Sequence, residues 1–442
     1  MEIDPFLRFY CENIPHRPGS AEPKTTTTIV YLKGEIMTKG RIAATLLAIT
    51  LAATACGSSK KTVTAGATTA APAASATTAA PAATTAAPAA TTAAKAAPCS
   101  AKIGFMGPFT GDAASIGQEQ LNWGKLGLAD YNKANGTDFA FVETDTKLDP
   151  AEATTGAQKL VSDNSVVAIL GPAGSQEVEA VGPAMTAANL AYVSPSATRT
   201  SLTAGKLPSF ARVVPNDDAQ GPTVAKFIAE KIAAKKVLII DDQTSYSTGL
   251  ADSATAAFKT LNVTVARESI AQKSTDFSSL VSKVTDDTGA VFLPWQLAAN
   301  AQQLGTQLKE QGKKAVVVGS DGVYSPKDFS LEGAYVTSFA PDVRGVASAA
   351  AVVAAYQKAY DDKFGTFGPP VYVAAQLLAT AVKTTCKDGK PGARADVTAA
   401  MKKVKLDNTI LGGPVALDDK GDVVGAKFYL SQVKGGKYTL VA

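Results

Sequence analysis

From residue 99 onward, short apolar runs alternate with longer stretches in which apolar positions recur every three or four residues. The short runs predict strands at Lys102–Met106, Phe139–Thr144, Val166–Leu170, Ala191–Val193, Val237–Asp241, Val263–Ala266, Ala290–Leu293 and Ala315–Val318. The longer stretches predict helices at Gln118–Lys133, Pro150–Ser162, Gln176–Ala188, Gln220–Ala234, Thr248–Leu261, Phe277–Val284 and Leu297–Gln311. Strand alternating with helix marks parallel βαβ units, and strands apolar on both faces belong to sheets covered by helices. Two further helices, Ala347–Phe364 and Val371–Thr384, precede a Gly/Asp-rich strand ending over Gly412–Ala442. The expected fold class is α/β.

Before residue 99 the pattern changes. Thr62–Pro98 is nearly all Ala, Thr and Pro. It lacks the large apolar side chains that offset the entropy of ordering, and its prolines interrupt helix. It reads as a linker; the 42 residues from Gly57 to Pro98 would span roughly 35–40 Å if flexible and up to about 130 Å as extended polyproline. Upstream, Lys39 and Arg41 precede an apolar run from Ile42 to Ala53. That run is too short for a hydrocarbon core, which needs about 20 helical residues, and has the order of an export signal. Small residues at Ala53, Thr54 and Ala55 before Cys56 resemble a bacterial lipobox, with alanine where leucine is usual. Cys56 is therefore the expected lipidation site, and the domains divide as a 37–55 signal peptide and a 56–98 anchor and tether. An export signal normally stands first in its chain, so residues 1–36 are expected not to belong to the natural product.

Trimming at Cys56 changes the available chemistry. The single histidine, His16, lies in the leader, so a Ser-His-Asp triad, a Cys-His pair and a histidine metal site are all excluded. Cys11 leaves with the leader and Cys56 takes the lipid. Cys99 and Cys386 remain, and two cysteines in an exported protein most simply form one disulfide. Net charge is +4; removing residues 1–55 takes away six basic and five acidic residues and leaves +3. No block of like charge supports nucleic-acid binding. No metal or cofactor is expected. The 344 residues from Cys99 to Ala442 suffice for two domains.

Six motifs in order give the folded part a family likeness: Ile103-Gly-Phe-Met-Gly-Pro-Phe-Thr-Gly111 with Ile116-Gly117; Val193-Ser-Pro-Ser-Ala-Thr198; Asp217-Asp-Ala-Gln-Gly-Pro-Thr223; Asp241-Asp-Gln-Thr-Ser-Tyr-Ser-Thr-Gly-Leu250; Val318-Gly-Ser-Asp-Gly322; and Gly413-Pro-Val-Ala-Leu-Asp-Asp-Lys-Gly-Asp422. Together they resemble the leucine/isoleucine/valine-binding protein family, type I periplasmic binding proteins of ABC importers. The resemblance implies two doubly wound, Rossmann-like lobes joined by three crossover segments, with ligand held in the central cleft. Lobe one would hold residues 99–216 and 341–422, and lobe two residues 217–340 and 423–442. Open parallel sheets bind ligands beyond the carboxyl ends of their strands, which agrees with that placement.

The resemblance also implies roles. Ser175, opening a helix after the Gly171–Gly174 turn, would bind the ligand's α-carboxylate with nearby backbone N–H groups. The backbone of Ser196 and the hydroxyl of Thr198 would add donors, so no arginine is required. Tyr246 would reach in from lobe two, and Asp321 would pair with an α-ammonium, since a charge in a water-poor cleft must be paired. Gln296 replaces a second tyrosine, with Trp295 beside it, and Ile116 and Tyr372 replace a mainly aromatic pair near the side-chain pocket. Trp295 and Tyr372 could stack a flat ligand. Cys99 and Cys386 fall on one distal face of lobe one, where a disulfide would stabilise the fold by about 3–5 kcal/mol.

The expected function is an extracytoplasmic, lipid-anchored, monomeric receptor passing a small molecule, an amino acid by resemblance, to ABC permease subunits. The alternatives are a receptor for another carboxylate, amide or aromatic compound, or a sensory binding protein without an importer. An enzyme is disfavoured, because there is no G-x-S-x-G elbow around Ser175. The S-x-x-K matches at Ser58–Lys61 and Ser431–Lys434 fall in the tether and a terminal strand.

Overall fold

The computed structural model describes residues 97–360 and 364–442. The signal segment, Cys56 and nearly all of the tether lie outside the described residues. Two parallel sheets organise the chain. The first takes β1 (Ser100–Gly107), β2 (Asp138–Asp145), β3 (Val166–Leu170), β4 (Ala191–Ser194) and β5 (Phe210–Arg212) in the order β2-β1-β3-β4-β5, all parallel. Between them run α1 (Ala114–Asn135), α2 (Pro150–Ser162) and α3 (Ser175–Ala187). Every residue of β3 and β4 is buried, as two-sided apolar strands require.

After β5 the chain crosses to α4 (Asp217–Phe227), which runs into a π-helical turn at Ile228–Ile232. It then alternates through β6 (Lys236–Asp241), α5 (Ser245–Thr260), β7 (Thr264–Ser269), α6 (Ser278–Lys283), β8 (Ala290–Leu293), α7 (Ala298–Glu310), β9 (Val316–Gly319) and β10 (Tyr335–Ser338). A second crossing leads to α8 (Ala350–Ala359), α9 (Gly368–Thr385), α10 (Arg394–Met401) and the small pair β11 (Lys405–Leu406) and β12 (Val415–Ala416). Helix α9 packs on α1 and β3, and α10 packs on β3 and β4. The third crossing returns to β13 (Tyr429–Lys434), antiparallel to β10, and β14 (Lys437–Leu440), antiparallel to β13, which give the second sheet the order β14-β13-β10-β9-β8-β6-β7.

Local chemistry explains these boundaries. Helix α2 begins where Asp149 accepts N–H bonds from Ala151 and Glu152 and Pro150 takes the first position. Helix α1 ends at Gly136, whose φ of 62° favours glycine. Gly127 lets α1 approach α9 closely, since a Cβ there would stand 2.9 Å from the Tyr372 carbonyl oxygen. The three crossings share one apolar cluster: Val214 from the first, Phe339 and Ala340 from the second and Phe428 from the third pack with Ile116 and Phe367.

The predicted strands and helices are present with small shifts at their ends. Strands β5 and β10 and helix α10 go beyond the sequence reading. Strand β5 is three residues long and carries a charged arginine, and α10 buries only Val397 and Met401, so neither shows a periodic apolar signal. The helix expected over Ala347–Phe364 is shorter: a 3-10 turn at Ala347–Ala349 leads into α8, which ends before Tyr360. Cys99, just before β1, and Cys386, at the end of α9, form a disulfide with Cα atoms 6.2 Å apart.

Candidate functional site

Strand β3 delivers its chain through the Gly171–Gly174 turn to Ser175, the first residue of α3. Ser175 is fully buried, and its Oγ accepts the Arg199 N–H at 3.2 Å. The Glu177 carboxylate accepts the Gly174 N–H at 2.6 Å and closes the helix start, while burial pushes its carboxyl up to about 7. The loop after β4 holds Ser196 and Thr198. The Ser196 hydroxyl donates to the Ala173 carbonyl and accepts from Gln120 Nε2, both at 2.9 Å; its main-chain N–H points to Ser194 Oγ at 3.3 Å. Thr198 is fully buried with an unpartnered hydroxyl, and its carbonyl accepts the Asp217 N–H at 2.9 Å.

That loop hangs on an arginine that the sequence reading left out. Arg212 in β5 is fully buried and donates to the carbonyls of Ala197 (3.1 Å) and Arg199 (2.7 Å) and to Thr203 Oγ1 (2.8 Å). Its Nε pairs with Asp422. All of its charge is spent on the loop and on Asp422, so it positions the donors from behind.

Across from these donors, Tyr246 in the first turn of α5 donates its hydroxyl to Asp321 Oδ1 at 2.7 Å. Both residues are about 2% exposed. Burial pushes the Asp321 carboxyl up to about 6, against the hydrogen bonds from Tyr246 and Gln220. Burial and then the Asp321 charge hold the Tyr246 phenol well above its usual range. A second acid lies close by. Asp217, at the start of α4, is 1% exposed, and neither carboxylate oxygen has a hydrogen-bond partner of normal geometry. Burial first, and then the Asp321 charge, push its carboxyl up to about 8. Sequence reasoning saw Asp217 only as part of a crossing motif. Nothing in a run of polar residues reveals which one turns inward.

Gln296 bridges the two sides: its Oε1 accepts from Gln176 of α3 at 2.8 Å and from Gln272 at 3.1 Å. Ile116, Ala173, Ser196, Tyr246, Gln296 and Asp321 face a common cavity of about 10 Å³, with Phe367 completing the wall. Two expected residues stand elsewhere. The Trp295 indole donates to the Ile240 carbonyl at 2.7 Å and packs on Phe277 in the core of the second sheet. The Tyr372 hydroxyl donates to Asp130 at 2.9 Å in the seam between α1 and α9. Phe367 occupies the cavity position expected of Tyr372, because α9 starts at Gly368 and turns Tyr372 toward α1. Neither of the two is placed to stack a flat ligand.

The two sides also meet outside the cavity. The Arg199 guanidinium donates to the Ser245 carbonyl at the start of α5 and pairs with Glu179 at 3.1 Å. Lys273 faces Asp149 at 3.9 Å. The arrangement sets neutral hydroxyl and main-chain groups on one side against the Tyr246–Asp321 pair, with Asp217 close by, on the other.

Comparison with known proteins agrees with this fold. The family model described as periplasmic binding protein matches residues 100–437. An amino acid binding protein of Pseudomonas aeruginosa is 30% identical over 225 residues, half of this chain and 60% of that protein. The leucine-specific-binding protein of Salmonella typhimurium is 26% identical over 340 residues, 75% of this chain and 90% of that one. Among solved structures, the branched-chain amino acid transporter substrate binding protein LivJ of Streptococcus pneumoniae, in complex with isoleucine, superposes with a TM-score of 0.70. It is 26% identical, over 77% of this chain and 99% of the other. This chain belongs to the leucine/isoleucine/valine-binding protein family of type I periplasmic binding proteins, which are extracytoplasmic solute-binding proteins of transporters and not enzymes.

Proposed function

We propose that the protein is the lipid-anchored receptor of an ABC importer and captures an amino acid between its two lobes. Lobe one would comprise residues 99–216 and 341–422, and lobe two residues 217–340 and 423–442. The α-carboxylate would rest on Ser175, the Ser196 backbone and Thr198; the α-ammonium would face Asp321, with Asp217 as a second acid near it. Tyr246 and Gln296 would close over the head group, with Ile116 and Phe367 beside the ligand's side chain. The carrying observation is the buried Tyr246–Asp321 pair set opposite the neutral donors of the first lobe. A carboxylate in so dry a place favours a ligand that brings a positive charge. Cys56 would carry the lipid, and the monomer would deliver its ligand to the permease subunits.

The test is a thermal-shift screen of the full-length protein against the twenty amino acids, benzoate and simple amides, followed by calorimetry. One or more amino acids should raise Tm by mass action. Asp321→Ala should weaken that binding at least thirtyfold, because it strips the ammonium of its partner in a desolvated site, and Gln296→Ala should weaken it far less. Shifts from neutral or purely anionic compounds alone would overturn the amino-acid reading.

A further inference from the structure

A chamber of about 340 Å³ lies directly beyond the cleft cavity. The side chains of Ile116 and Phe367 face both spaces and form the partition between them. The chamber has the size of a small-molecule site, about 300 Å³ or more, whereas the head-group cavity is no larger than a water site. Room for anything attached to a head group therefore lies past Ile116.

The chamber's lining is mixed, with Ile116, Phe367, Tyr356 and Pro326 beside polar side chains. Glu119 and Asn122 project from α1, and Tyr324 and Lys327 from the segment after Asp321. Glu119 is already engaged, accepting the Gly365 N–H at 2.8 Å and the Gly368 N–H at 2.5 Å, so it pins the start of α9. Burial also holds its carboxyl up to about 7, which weakens its repulsion of an approaching anion. Lys327 is exposed at the rim and belongs to none of the ion pairs among the described residues. An aliphatic side chain entering this space could lie along Ile116 and Phe367 but would offer no acceptor to the Lys327 ammonium or the Asn122 amide. A carbonyl oxygen would meet the Lys327 ammonium and the Asn122 amide, and a charge-assisted bond of that kind is among the stronger ones.

We propose that this chamber is a distal subsite, and that it selects a ligand whose arm passes Ile116 and Phe367 and ends in a hydrogen-bond acceptor, a carboxamide or a carboxylate. The inference rests on the amino-acid reading and narrows it from branched aliphatic side chains to longer polar ones. It is tested by calorimetry on the full-length protein with L-norleucine, L-glutamine and L-2-aminoadipate as probes, in wild type and in Lys327→Ala. Lys327 is exposed and unpaired, so the substitution leaves the fold intact. At least one polar probe should bind tenfold or more tighter than norleucine, and Lys327→Ala should erase most of that margin. A larger margin for 2-aminoadipate identifies a carboxylate arm, and a larger margin for glutamine a carboxamide. Norleucine binding as tightly as both polar probes, or a margin that survives Lys327→Ala, overturns the subsite and leaves the receptor reading standing. Failure of all three probes, with binding confined to compounds that lack an ammonium group, overturns both.

Discussion

Asp217 shows how much a single buried group can decide. Its carboxyl sits near pH 8 in the folded chain, against about 3.9 in an unfolded one. Between those values the folded state holds a proton that the unfolded state has lost, so the group's contribution to stability is greatest below about pH 4 and is lost as pH rises through 8. Asp321, near 6, acts with the same sign over a narrower window. One pKa unit is worth about 1.4 kcal/mol, so an acid this deeply buried costs the protein several kcal/mol at alkaline pH. The ligand-free wild type should lose Tm steadily between pH 5 and 8, and Asp217→Asn should flatten that slope and raise Tm at pH 8 by several degrees. Parallel pH profiles for the two proteins would mean that the carboxyl is solvated. At this scale the sequence is readable only where a residue's place follows from its element. Ser175, Ser196, Thr198 and Asp321 could be singled out because each lies in the segment after a strand. Trp295 and Tyr372 were misplaced because an aromatic beside a cleft motif looks the same whether it faces the cleft or the core. Helix phase, set by where α9 begins, decides between the two.

The same limit applies to whole elements. The long β-α alternation of the chain could be read from apolar periodicity alone, whereas β5 could not, since a strand of three residues that ends in arginine has no period. Yet β5 carries the side chain that shapes the donor loop. Arg212, itself fully buried, spends its donors on two carbonyls, a hydroxyl and the part-buried Asp422. Breaking one side of a buried ion pair costs about 3–5 kcal/mol because the partner is left charged and unpaired. Arg212→Met should therefore lower the unfolding free energy by about that amount in a urea titration. Adding Asp422→Leu should cost less than the sum of the two single changes, the mark of coupled partners. A loss below about 1 kcal/mol for Arg212→Met would show that the loop holds its shape without the arginine. The disulfide acts at the far end of the same sheet. It ties the entry of β1 to the exit of α9.

At the scale of the molecule, the two sides of the candidate site are in contact. Gln176 reaches Gln296, Arg199 reaches Ser245, and Lys273 faces Asp149 across the gap. A cavity of about 10 Å³ cannot admit an amino acid, so on the proposed reading capture would require the halves to part at the three crossings, where Val214, Phe339 and Phe428 share one apolar cluster with Ile116 and Phe367. On that reading the cluster would join hinge to cavity, and a ligand pressing on Ile116 or Phe367 would act on the hinge directly. Closure then stabilises the bound state through contacts that never touch the ligand, and those contacts should govern escape more than entry. The exposed Lys273–Asp149 pair contributes little, about 0–1 kcal/mol. Arg199 is the stronger latch, because its guanidinium is half-buried and serves Glu179, Ser201 and the start of α5 together. Arg199→Ala keeps the main-chain N–H that supports Ser175, so the donor set survives the change. Stopped-flow binding of the tightest amino acid from the screen should show a dissociation rate three- to thirtyfold faster and an association rate within about twofold of wild type. A change confined to association would place Arg199 on the path of entry, and equal rates in both proteins would leave the closed state held by the ligand alone.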